Sequence, residues 1–243
     1  MPRILSAMQY ASENHDTPYD MLLADMIAPF MEAWASAIWD LENLALFNQA
    51  AYASVTSRDQ AAQGIVEQHR QLQNLPVNPN DDFGYDLQQR QLANMRQVIM
   101  NTDLEIEGIA RYADEVTVIA SWAFVEKQLN RALLALQSAL YQPASTDHRW
   151  PAIEAAYVQC GVNLSQANGF ANVDECRKVN NAIKHSGVVS AGLAALPAFV
   201  GKLGKPLANE QLDTQRYYFA AGEFVSSVLV KCSTVVKGLQ VSS

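Results

Sequence analysis

The sequence is short of positive charge, of cysteine and of any strand-like alternation of apolar and polar residues. Its 243 residues carry 17 Lys and Arg against 25 Asp and Glu, a net charge of −8. That balance argues against a basic nucleic-acid coat protein and against a polybasic membrane binder. Three cysteines, Cys160, Cys176 and Cys232, are widely spaced and form no Cys-x-x-Cys pair. A disulfide framework and a thiolate zinc site are therefore not expected, and the thiols read as reduced, part-buried groups of a cytoplasmic chain. The four histidines, at 15, 69, 148 and 185, make no Glu-x-x-His or His-Glu-x-x-His pair. This speaks against di-iron and zincin chemistry, so no metal or other cofactor is expected. Met1-Pro2-Arg3-Ile4-Leu5-Ser6 lacks the long apolar run of a leader. The longest weakly apolar stretch is read as Gly187 to Gly201. Pro197 interrupts it, and it is shorter than the roughly 20 residues a bilayer requires. Gly201-Lys202-Leu203-Gly204-Lys205 lacks the spacing of a phosphate-binding loop and follows no strand.

What the chain has is helix. Apolar residues make up 49% of it, enough for a sizeable core. A helix broken or kinked near Pro29 is expected from Pro18 to about Ser54, with Phe30, Trp34, Ile38, Leu41, Leu44 and Ala45 on its apolar stripe. Ser57-x-x-Gln60 reads as a capping box opening a second helix to about Gln73, before the Pro- and Asn-rich loop Leu75–Asp82. Helices follow at Gln88–Met100 and at Asp103–Leu140, the latter with Ile109, Tyr112, Val116, Ile119, Ala123, Leu129, Leu133, Leu136 and Leu140 at helical spacing. Pro151 opens a short helix to about Gln159. Asn172-x-x-Glu175 reads as a capping box for a helix stopped by Gly187. Leu196–Leu207 reads as a tight excursion or small hairpin, and Gln211–Lys237 as the final helix. The fold class is all-α, with a seam expected near residue 100. Residues 1–100 hold five arginines, no lysine and twelve acidic residues, so they carry most of the negative charge. Two readings fit that half: an acidic helical extension that serves solubility, or a segment that restricts access to the other half or recruits a partner.

One segment concentrates chemistry: Glu175-Cys176-Arg177-Lys178-Val179-Asn180-Asn181-Ala182-Ile183-Lys184-His185-Ser186-Gly187. At 100° per residue, Arg177, Asn181, Lys184 and His185 fall within an arc of about 100°, opposite Cys176, Val179 and Ile183. One reading is a solvated face whose terminal Lys and His complement the helix dipole. The other is a site: His is the side chain suited to acid/base work near neutral pH, and Arg is suited to holding phosphate.

A long amphipathic helix, a short helix ending in Asn-x-x-Lys-His and an apolar final helix together resemble HEPN domains. Ser121-Trp122-Ala123-Phe124-Val125-Glu126-Lys127-Gln128-Leu129 looks like that superfamily's first long helix. The resemblance covers roughly residues 105–237 and implies a HEPN-like helical bundle (residues 101–243) behind an additional N-terminal helical region (residues 1–100). It implies a metal-independent endoribonuclease, a homodimer, and a toxin or effector of a defence or toxin–antitoxin module, with RNA as substrate and an antitoxin or regulatory protein as partner. His185 would act in acid/base catalysis, with Arg177 and Lys184 on the scissile phosphate and Asn181 fixing geometry. Asn180 and Lys178 would contact substrate, and Glu126 would orient Arg177 or His185. The superfamily signature is Arg, four to six residues, then His. Here those Arg positions hold Lys178, Val179 and Asn180, and Arg177 lies one step farther out. The rival class is a non-catalytic helical module that binds a protein or a nucleotide.

Overall fold

A computed structural model describes residues 18–76, 82–144, 147 and 149–239. Among the described residues six helices follow in order: α1 Pro18–Gln73, α2 Asp82–Ala139, α3 Trp150–Gln159, α4 Phe170–His185, α5 Ala191–Ala194 and α6 Thr214–Leu239, with three short 3-10 turns between them. Among the described residues there is no strand, only an isolated antiparallel bridge between Val188 and Pro206. The chain is all-α.

Two long helices replace the four shorter ones expected. α1 has 56 residues and runs through both Pro29 and Ser57. Pro29 lies near its start and is exposed, while Ser57 sits on the solvent side, so neither interrupts the inward stripe. Leu44, Asn48, Ala51 and Val55, and then Ala62, Ile65, His69 and Leu72, are buried or half-buried at three- and four-residue steps, and one seven-residue step across exposed residues 56–61 keeps the two runs in phase. α2 has 58 residues and passes through the expected gap between Met100 and Asp103. There the Thr102 hydroxyl donates to the Val98 carbonyl at 2.9 Å, bonding within the helix instead of ending it. Of the expected stripe of α2, Leu129, Leu133 and Leu136 are buried as expected, but the stretch around residues 112–121 is off by one residue. Tyr112 and Val116 are exposed, and Ala113, Thr117, Val118 and Ser121 are the buried set.

The chain packs as two compact units. One holds the described residues up to Leu41 with 121–177 and those from Gln215 onward; the other holds 42–120 with 178–214. Residue 100 lies inside α2 and bounds neither.

In the first unit the core is dense. Val125, Leu129 and Leu136 of α2, Ile153 and Tyr157 of α3, and Phe224, Val228 and Cys232 of α6 are all buried. Burying a side chain of this size is worth about 1.5–3 kcal/mol. Trp122 meets Trp150 edge-on at 5.4 Å, and the Tyr157 hydroxyl donates to the Leu129 carbonyl at 2.7 Å. Two glycines mark close approaches. A Cβ on Gly222 would sit 2.9 Å from Leu41 Cδ1, and one on Gly169 would sit 2.7 Å from the Ala220 carbonyl oxygen. Trp122 is buried, whereas Trp39 is 66% exposed. In α1 the buried residues beside Phe30 are Ala33 and Ala37, and Ile38 is exposed. A further correction concerns apolar runs. Among the described residues Thr214–Gly238 of α6 exceeds the Gly187–Gly201 stretch read as the longest and is long and apolar enough to cross a membrane by length and composition, and its Tyr217, Phe224, Val228 and Cys232 are buried inside the protein.

In the second unit residues 42–73 of α1 and 82–120 of α2 run antiparallel. Their cross-links march in opposite directions along the two helices: Asn48 to Thr117 (2.9 Å), Tyr52 to Asp114 (2.5 Å), Arg58 to Glu105 (2.5 Å), Arg96 to His69 (3.3 Å) and Gln88 to the Leu72 carbonyl (2.6 Å). The constant register is that of a two-helix arm, roughly 48 Å long at 1.5 Å per residue.

Candidate functional site

The candidate residues lie on α4, and the ends of that helix are set locally. Gly169, with φ +76°, precedes it and accepts from the Val173 amide at 3.0 Å. The Asn172/Glu175 pair does not cap this start, because the helix already begins at Phe170. Both side chains serve a longer-range purpose. Arg216 of α6 donates to Asn172 Oδ1 at 2.7 Å and to Glu175 Oε1, and the Tyr217 hydroxyl donates to the same Glu175 oxygen at 2.6 Å. Burial, then the hydrogen bond to Glu175, pushes the Tyr217 hydroxyl well above its ordinary range. The two residues thus pin α4 to α6 and cap nothing. At the other end Gly187, with φ +65°, stops the helix as its spacing predicts; its amide donates to the Ala182 carbonyl at 2.8 Å, as does that of Ser186 at 3.1 Å.

Cys176, Val179 and Ala182 are buried, and Ile183 is half-buried. Burial pushes the Cys176 thiol up to about 12, so it is not a nucleophile at neutral pH. Asn181, Lys184 and His185 are exposed. They stand at i, i+3 and i+4, on one face over the last two turns.

The other candidates are placed differently. Arg177 packs in the first unit. It is part-buried, its Nε and Nη2 donate to Asp174 Oδ1 at 3.0 and 2.6 Å, and its guanidinium lies 5.5 Å from the Trp150 ring centre. This is a packed, ion-paired arginine and not one held out towards solvent. The carboxylate that orients it is Asp174, the role expected of Glu126. Glu126 is half-buried on α2, and its backbone carbonyl accepts from the Asn130 side chain at 2.9 Å. Asn180, expected to touch substrate, is 1% exposed, and its Oδ1 has no hydrogen-bond partner among the described residues. A substrate on the exposed face does not reach it. Lys178 is half-buried.

Sequence reasoning passed over one cation near this face. The bridge between Val188 and Pro206 ties the segment after α4 to the Gly201–Lys205 turn: the Val189 amide donates to the Lys205 carbonyl at 2.9 Å, and the Leu207 amide to the Gly187 carbonyl at 2.8 Å. Exposed Lys205 is thereby held across from Val189, four residues past His185. No local pattern links positions 189 and 205, so only the bridge could reveal it.

Among the described residues no group of three or more His, Cys, Asp or Glu is placed to hold a metal ion. In the first unit an open groove of about 410 Å³ is lined by Gln137, Pro143, Asp147 and three α3 alanines. Asp147 there is bonded to Arg149 at 2.6 Å. No family model, curated protein or solved structure matches this chain.

Proposed function

We propose that this protein acts on RNA through the exposed end of α4, as a HEPN-like metal-independent endoribonuclease. The observation that carries the reading is the exposure of His185 beside Lys184 and Asn181 on one helical face. An exposed imidazole can take the proton of a ribose 2′-hydroxyl and return one to the departing oxygen. Lys184 supplies positive charge for the phosphate, and Asn181 supplies a hydrogen-bonding amide. Arg177 and Asn180 play structural parts, the first by bracing α4 against Trp150 and the second by packing inward. In this reading two copies dimerise so that two such faces meet one strand, and the host role is that of a toxin or effector. Expression in bacteria should slow growth and degrade total RNA, and His185→Ala should abolish both effects. Equal growth and intact RNA for both proteins would refute it.

A second reading is a partner-binding module without catalysis. The arm favours it: residues 42–120 hold five arginines, no lysine and eleven acidic residues, and Leu46, Phe47, Val66, Val98 and Leu104 are exposed along it. A soluble protein that leaves RNA intact while associating with a basic polypeptide would support this reading instead.

A further inference from the structure

The turn that carries Lys205 is built to project. Gly201 and Gly204 take φ +76° and +75°, and a Cβ on either would meet no atom within 4 Å, so the space beside the turn is open. The Lys205 amide donates to the Lys202 carbonyl at 2.9 Å, closing the turn. Its two lysines differ in state. Lys202 is committed: its Nζ bonds to Glu210 at 2.6 Å and lies 5.7 Å from the Phe199 ring centre. Lys205 is exposed, and no ion pair joins it to another described residue. The compact unit therefore carries Lys184, His185 and Lys205 on chain segments joined by a backbone bridge at Val189, four residues past His185, although 16 positions separate Val189 from Lys205.

Charge explains why a second cation matters here. The carboxyl end of a helix carries roughly half a negative charge, which repels an anion. A phosphodiester approaching the end of α4 needs that field outweighed, and a single lysine there outweighs it only weakly. We propose that Lys205 is a second phosphate contact, alongside Lys184, for single-stranded RNA bound at the carboxyl end of α4. This rests on the RNA-acting reading above and adds to it a residue that the HEPN signature does not contain. A lysine contact of this kind grips the backbone as a point charge and is indifferent to base identity.

The test uses the full chain and short fluorescent 2′-O-methyl RNA oligomers of two unrelated sequences, which keep the phosphates and lack the nucleophilic hydroxyl. Affinity is measured across a salt series of roughly 50–200 mM, where counterion release is read from the slope. Lys205→Ala should weaken both oligomers several-fold and equally, and should lower the slope of log affinity on log salt by about 0.7, the value for one phosphate contact on a single strand. Lys205→Arg should restore both, and Lys237→Ala, an exposed cation on α6, should change neither. Thermal midpoints of the variants should match wild type, because the bridge uses only the Lys205 backbone. If Lys184→Ala weakens binding while Lys205→Ala leaves affinity and slope unchanged, the Lys205 assignment is overturned and the RNA reading stands. If wild type binds neither oligomer, both fall. If Lys205→Ala changes the light-scattering mass but not RNA binding, the patch is a protein contact and the assignment is overturned.

Discussion

The two-helix arm and the layered core are made from the same two long helices, yet they hold together by different means. From residue 121 to 136, α2 buries Trp122, Val125, Leu129, Ala132 and Leu136, because α3 and α6 also supply apolar side chains within that unit. Among the described residues between 42 and 112, only Ala62 and Leu92 are buried apolar side chains, and polar cross-links such as Arg58–Glu105 and Tyr52–Asp114 recur along the seam. Exposed ion pairs contribute about 0–1 kcal/mol each, so the seam gains little from them. A pair of helices can bury one stripe; a layer of several can bury whole side chains. The arm should therefore be the softer part of the molecule.

Three experiments probe that contrast, beginning with the largest effect. Phe224→Ala removes a fully buried ring from the core, and urea unfolding should show a loss of about 3–5 kcal/mol. A loss below about 1 kcal/mol would mean that the core is not packed as described. Leu92→Ala, at a buried apolar site in the arm, should cost less, about 2 kcal/mol, because a two-helix seam packs fewer side chains around it. Hydrogen exchange should show arm amides opening well before those of α6 in the wild type, and still earlier in this variant. Uniform protection along α2 would contradict the contrast.

The smallest effect is in the seam's polar links. Burial, then the bond to Asp114, raises the Tyr52 hydroxyl to about 12. A raised phenol favours the folded state while it stays protonated. Its contribution is complete below about pH 10, where the unfolded tyrosine begins to ionise, and is lost as pH rises towards 12. Wild type should lose more stability than Tyr52→Phe over that interval, and parallel curves would show that the link adds nothing.

How much of this was legible in the sequence depended on how local the cause was. Pro151 and Gly187 act on their own backbone, and the helix boundaries they imply stand in the structure. Ser57 and Asn172 have the spacing of caps but do not act as caps. The inward stripe of α1 outweighs the first, and Arg216 of α6 engages the second. The all-α class and the buried Leu129, Leu133 and Leu136 of α2 follow from periodicity, whereas between residues 112 and 121 the buried side is a residue away from the expected one because small and polar residues, Ala113, Thr117 and Ser121, face inward there. On α4 the wheel arithmetic placed Asn181, Lys184 and His185 outward, as found. It could not foresee that Asp174 and Trp150 would engage Arg177, or that the Val188–Pro206 bridge would bring in Lys205.

The most direct test of the central claim is cleavage of a single-stranded RNA by the purified protein in the presence of a chelator. The chemistry proposed for His185 has the 2′-oxygen form a bond to the adjacent phosphorus while the bond from phosphorus to the 5′-oxygen breaks. One product ends in a 2′,3′-cyclic phosphate and the other begins with a 5′-hydroxyl. The account predicts those ends for wild type, loss of cleavage by orders of magnitude in His185→Ala, and resistance of a strand whose 2′-hydroxyls are replaced by hydrogen. Intact RNA with wild type, or equal cleavage by His185→Ala, would contradict it.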